Sequence, residues 1–132
     1  MPLTADRATP ERKGQDFGYP PAAGNTIFRG AIVCLNASNE AVRGAAAAGL
    51  RCVGVAQNST LDVGFPGLVQ TRRGTFQFRN SAAGEAITAA DIGNVCFIAD
   101  DDQVQRTNGT NTRSACGTVA AVDAAGVWVR IP

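Results

Sequence analysis

Residues 117–131 read GTVAAVDAAGVWVRI, and this stretch decides the fold. Asp123-Ala124-Ala125-Gly126 is a turn between two Val-rich runs, Ser114 to Val122 before it and Val127 to Ile131 after it. In the second run Val127, Val129 and Ile131 fall on one face and Trp128 on the other, the period of a strand rather than a helix.

Working outward, the same grammar repeats. A polar loop (TNGTNTR, 107–113) follows QVQR (103–106), an acidic turn at Asp100-Asp101-Asp102, and NVCFIA (94–99). Before these, Thr88 to Gly93 reads as one capped turn, with Thr88 as N-cap, Asp91 three residues on and Gly93 as the stop. Residues 67–77 (GLVQTRRGTFQ) read as a hairpin turning near Arg73-Gly74, with Phe76 and Phe78 alternating with polar residues. Leu50 to Ala56 (LRCVGVA) alternates across two faces, and Asn58 to Asp62 is a loop. Phe28 to Leu35 (FRGAIVCL) is a further strand ending at the turn-prone Asn36 to Asn39. Residues 43–49 (RGAAAAG) can be one helical turn or a small-residue connection. About seven or eight short strands at this spacing predict an all-β domain, a small sandwich or barrel.

Composition agrees. At 132 residues there is room for one core, and with aromatics at only 6% that core is thin. Fifteen Gly and six Pro favour turns over long helices. A net charge of +1 gives no electrostatic reason to expect nucleic acid as partner. Eleven of the twelve basic residues are Arg, a bias that suits protein interfaces and that a GC-rich genome also produces. Residues 1–24 hold no apolar run of a signal peptide, and no stretch is long enough to span a membrane, so neither export nor a membrane partner is expected.

The chain divides near Gly24 into a flexible N-terminal arm, 1–24, and a β domain, 25–132. The arm mixes Pro, Gly and charges without periodicity, and Pro20-Pro21 favours extended backbone. Phe17 and Tyr19 are its exceptions. They belong either to a tail or arm folded back on its own domain, or to an arm whose rings dock on a neighbour. Docking is the expectation, with Phe17, Tyr19, Pro20, Pro21, Arg12 and Lys13 as the partner-binding set. Arg72, Arg73 and Trp128 are candidates for a subunit interface; the alternatives are a solvent-facing hairpin tip for the arginines and an end of the core for Trp128.

Catalytic chemistry finds little footing. The chain has no His, so Ser or Cys nucleophiles lack their usual base. Asp100 and Asp102 lack the Gly and distal Glu of a calcium loop. Cys34, Cys52, Cys96 and Cys116 are widely spaced, without a CxxC or Cys/His pattern, and read as buried free thiols. Asn-x-Ser/Thr triplets at Asn36, Asn58 and Asn108 read as turn chemistry rather than glycosylation sites. No cofactor, metal or enzymatic activity is expected.

Four segments taken in order carry a resemblance: Val53-Gly54-Val55-Ala56, Arg72 to Phe78 (RRGTFQF), Ile87 to Asp101 (ITAADIGNVCFIADD) and Gly117 to Ile131. Over residues 26–132 the chain resembles the capsid cement, or head decoration, proteins of tailed phages. The resemblance implies a non-enzymatic virion protein, made in the bacterial host cytoplasm and bound to the outer surface of the major capsid protein shell. It also implies self-association, often as a homotrimer. A tail or fibre-base subunit, or a carbohydrate- or oligonucleotide-binding barrel, are the alternatives.

Overall fold

The computed structural model describes residues 2, 4–9 and 14–132. Among them ten short strands form two five-stranded antiparallel sheets, with two single 3-10 turns between. The all-β expectation holds, as a sandwich.

The first sheet contains β1 (Asp16–Tyr19), β2 (Ile32–Leu35), β3 (Ala41–Arg43), β4 (Arg51–Ala56) and β5 (Val69–Arg72), in the order β1-β5-β4-β2-β3. The second contains β6 (Gly74–Phe78), β7 (Val95–Asp100), β8 (Gln103–Gln105), β9 (Ala115–Asp123) and β10 (Gly126–Ile131), in the order β6-β10-β9-β7-β8. The turn in the opening stretch is as read. The Asp123 carboxylate accepts from the backbone N–H of Ala125 at 2.8 Å and of Gly126 at 3.1 Å, pinning the β9–β10 hairpin. Val127, Val129 and Ile131 are all buried, against Phe78, Ile98 and Val119.

The hairpin expected over 67–77 does not form. Val69–Arg72 pairs with β4 and β1 in the first sheet, whereas Gly74–Phe78 pairs with β10 in the second. Arg73-Gly74 is therefore the point where the chain crosses between sheets, and Gly74 takes φ 153° there. Alternating apolar residues on both sides of a Gly look alike whether the strands pair or part. Of residues 43–49, Arg43 ends β3 and 44–49 are a connection, not a helical turn; the run from Phe28 narrows to Ile32–Leu35.

The larger correction concerns the N-terminal segment. Asp16–Tyr19 lies antiparallel to β5, in register from Asp16 opposite Arg72 to Tyr19 opposite Val69. The chain then continues to the opposite edge of the same sheet. Ala41 N–H donates to the Pro20 carbonyl at 2.7 Å, and Ala22 N–H donates to the Ala41 carbonyl at 2.9 Å. One segment thus covers both edges of the first sheet and curls it toward closure. Residues 16–22, on the arm side of the boundary expected near Gly24, therefore pair with the first sheet. The physical reason is that an extended segment with free backbone groups pairs with the nearest open edges, which here are its own.

Curling gives the first sheet two buried faces. Ile32, Cys34 and Val55 face the second sheet; Val33, Leu35, Val53, Ala56 and Val69 face inward with Ile27 and Ala41, and Tyr19 and Phe65 pack against them. At Gly54 the backbone of β4 passes so close to β5 that a Cβ would lie 2.6 Å from the Arg72 carbonyl oxygen, and φ is 143°. Only glycine fits there.

Candidate functional site

The N-terminal aromatics are fixed from within the domain. The Thr71 hydroxyl, fully buried, donates to the Phe17 carbonyl at 2.8 Å. The Arg73 guanidinium stands over the Phe17 ring at 5.6 Å, within cation–π reach. Tyr19 packs on the core inside the curled sheet, and Pro20 and Pro21 bridge to β3. These four residues are accordingly parts of the sheet rather than a free arm. Arg12 and Lys13 lie outside the described residues.

The arginine pair is likewise engaged at home and is no hairpin tip. Arg72 Nε donates to Asp16 Oδ1 at 2.8 Å, which ties β1 to β5. Arg73 Nη1 donates to the Pro132 carbonyl at 3.2 Å, and its backbone N–H to the Gln15 carbonyl at 2.8 Å. Trp128 stands on the outer face of the second sheet, its Nε1 donating to Asp123 Oδ2 at 3.2 Å, so it does not close the core.

Two features escaped the sequence reading. The first is a patch of exposed apolar side chains on two neighbouring loops. Ile27 N–H donates to Thr60 Oγ1, Thr60 N–H donates to the Ile27 carbonyl, and Arg29 pairs with Asp62 at 3.5 Å. These bonds set Phe28, 52% exposed, beside the loop that carries Leu61, 67% exposed, and the fully exposed Val63. Phe28 reads in sequence as the start of a strand and 58–62 as an ordinary loop, so only the fold brings them together.

The second is the cysteine arrangement. All four thiols are free, and they meet at the contact between sheets. Cys34 stands opposite Cys52 across β2 and β4, and Cys116 lies beside Cys96 across β9 and β7. Cys116 and Cys34 hydrogen-bond to the Cys52 sulfur and draw its pKa below the ordinary thiol value; the Arg73 charge pulls the same way. The donors move oppositely. Cys116 is pushed up by its bonds to Cys52 and Cys96 and then by burial; Cys34 is pushed up by its bond to Cys52 and then by burial. Spacing of 18, 44 and 20 residues hides this, but the strand alternation of Cys34, Cys52 and Cys96 already assigns them inward faces.

Asp100, Asp101 and Asp102 bring their carboxylates within 4.8 Å of one another at the β7–β8 turn. Asp102 is held by Arg79 through two bonds of 2.8 and 2.9 Å, which lowers its pKa; burial and the two flanking carboxylates raise that of Asp101. The arrangement is that of a hairpin turn, as read. Asn36 and Asn108 are turn chemistry, their side-chain oxygens accepting from the backbone N–H groups of Ser38 and Thr110, whereas Asn58 ties its loop to β5, accepting from the Gln70 N–H and donating to the Leu68 carbonyl.

No family model, curated protein or solved structure matches the chain. No helix among the described residues is long and apolar enough to cross a membrane.

Proposed function

We propose that the chain is a non-enzymatic phage head decoration protein, which docks on the outer surface of the major capsid protein shell and braces it, with self-association into trimers as the form in which it binds. The observation that carries the reading is the patch of Phe28, Leu61 and Val63. Large apolar side chains grouped on adjacent exposed loops are the mark of a protein–protein surface. A lattice of identical shell subunits multiplies such a contact many-fold. The resemblance over residues 26–132 supports the choice of partner, and the exposed patch supports these loops as the docking surface. Because Phe17 and Tyr19 are paired into or packed on the sheet, the reading assigns the grip on the shell to these loops in place of the N-terminal rings.

Purified protein added to undecorated, expanded heads tests the reading by electron microscopy. Wild type is expected to occupy regular surface positions, and the double variant Leu61→Glu, Val63→Glu to stay folded but leave the heads bare. A wild-type chain that ignores heads and labels tails or fibre bases would replace this reading with the other virion role.

A further inference from the structure

The four thiols are not equivalent. Cys34, Cys96 and Cys116 are buried, whereas Cys52 is partly buried. Cys52 and Cys116 lie on the wall of an open cleft of about 400 Å³ between β4 and β9, edged by Leu50, Val95, Thr118 and Pro132. Of the two sulfurs on that wall, Cys52 is the less buried. Behind it, Cys34 is its direct partner in the β2–β4 register. Opposed residues of an antiparallel pair hold their Cα atoms about 4.5 or 5.5 Å apart, inside the window of about 4.4–6.8 Å that a disulfide tolerates. Cys116 reaches Cys52 from the other sheet, without the antiparallel strand register that sets Cys34 directly opposite it. The hydrogen bonds that Cys52 accepts from two thiols stabilise its anionic form, the form that attacks disulfides.

We propose that Cys52 is a thiol–disulfide exchange site for low-molecular-weight disulfides of the glutathione class, with Cys34 as its resolving partner. In the first step the Cys52 thiolate forms a bond to one sulfur of the small disulfide; the S–S bond breaks, and the other half leaves as a thiolate. In the second, Cys34 attacks Cys52 Sγ, the mixed S–S bond breaks, and the remaining half leaves as a thiol carrying the Cys34 proton. The protein loses two electrons and two protons, and the small disulfide is reduced to two thiols. The product is a Cys34–Cys52 bond locking β2 to β4, independent of the decoration role.

The test is treatment of the folded full-length chain with glutathione disulfide, read by intact mass and by mapping of linked peptides. Wild type is expected to lose two hydrogens and yield a Cys34–Cys52 peptide. Cys34→Ser is expected to accumulate a glutathione adduct on Cys52, and Cys116→Ser to form the same bond as wild type. Because a serine in the core can cost folding, wild type is also pulsed with iodoacetamide, where Cys52 is expected to label about tenfold or more faster than the other three. A first label on another cysteine overturns the proposal. So does a Cys52–Cys116 link, or a native chain that stays inert while the urea-unfolded chain reacts.

Discussion

The two sheets have the same number of strands and opposite relations to solvent. The second sheet is one-sided: in β10 the burial runs buried, buried, exposed, buried, exposed, buried, and Trp128 and Arg130 face out. The first is two-sided around β2 and the end of β4: all four residues of β2 (IVCL) are buried, because one face meets the second sheet and the other meets the curl closed by residues 16–22, while β1 and β5 still alternate. An open antiparallel sheet alternates, whereas a sheet covered on both faces reads as a continuous apolar run. The molecule therefore contains two cores of different construction, a strand-on-strand core between the sheets and a second one enclosed by a single sheet and its loops.

The largest expected effect tests whether the second core is equal to the first. Ile98 and Ile27 are both fully buried, Ile98 between the sheets and Ile27 inside the curl. Truncation of either to Ala is expected to cost about 2–5 kcal/mol in urea unfolding. A loss for Ile27→Ala below about 1 kcal/mol, with Ile98→Ala in the full range, would reduce the inner core to a loosely covered face.

Next comes the close approach that permits the curl. Gly54→Ala forces a Cβ against the Arg72 carbonyl at a backbone angle that L-residues avoid. A loss of about 1–3 kcal/mol is expected, with β5 shifted from β4 in amide chemical shifts. An unperturbed β4–β5 pair would mean that the curl does not depend on this contact.

These features divide by how far they were legible in the sequence. The second sheet was readable because its alternation and turns are local: Asp123 and Gly126 make the β9–β10 turn, and Thr88 with Asp91 makes the capped turn, the Thr88 N–H donating to the Asp91 carboxylate at 2.8 Å. In the first sheet β2 and β4 were readable as strands, but the pairing around them was not. Whether Val69–Arg72 turns back on Gly74–Phe78 or leaves it for another sheet depends on partners far along the chain, as does the capture of Asp16–Tyr19 by β5. The exposed patch failed for the same reason, since Phe28 and Leu61 become neighbours only through the Ile27–Thr60 bonds. Local chemistry was visible; long-range pairing was not.

A smaller effect probes how firmly residues 16–19 hold the edge. Thr71→Val keeps the volume and deletes the buried hydroxyl that donates to the Phe17 carbonyl. A cost of about 1 kcal/mol is expected, together with faster proteolytic loss of the segment before Gly24 than in wild type. Equal cleavage rates would show that the β1–β5 main-chain ladder alone holds it.

The smallest effect concerns acid, and it separates the sheets once more. Three carboxylates with lowered pKa values serve the second sheet and its loops. Glu85 is held by the Thr107 hydroxyl at 2.7 Å and Arg113 at 2.6 Å, Asp102 by Arg79, and Asp123 by the Ala125 N–H and then Trp128. A carboxylate whose folded pKa is depressed adds stability above its unfolded value, near 4, and that stability is lost as pH falls through the folded value. Asp101, raised by burial and its acidic neighbours, runs the other way: its folded form favours the proton, so it opposes the loss on acidification. Three groups against one leave a net decline below about pH 4. Urea midpoints measured from pH 6 down to 2.5 are expected to fall, and Glu85→Gln to flatten part of that slope while lowering the plateau at pH 6. Hydrogen exchange at the acid end is expected to rise first around residues 80–88 and 102–113, with β2 and β4 protected longest. Exchange that begins in β2 would place the weaker core inside the curl.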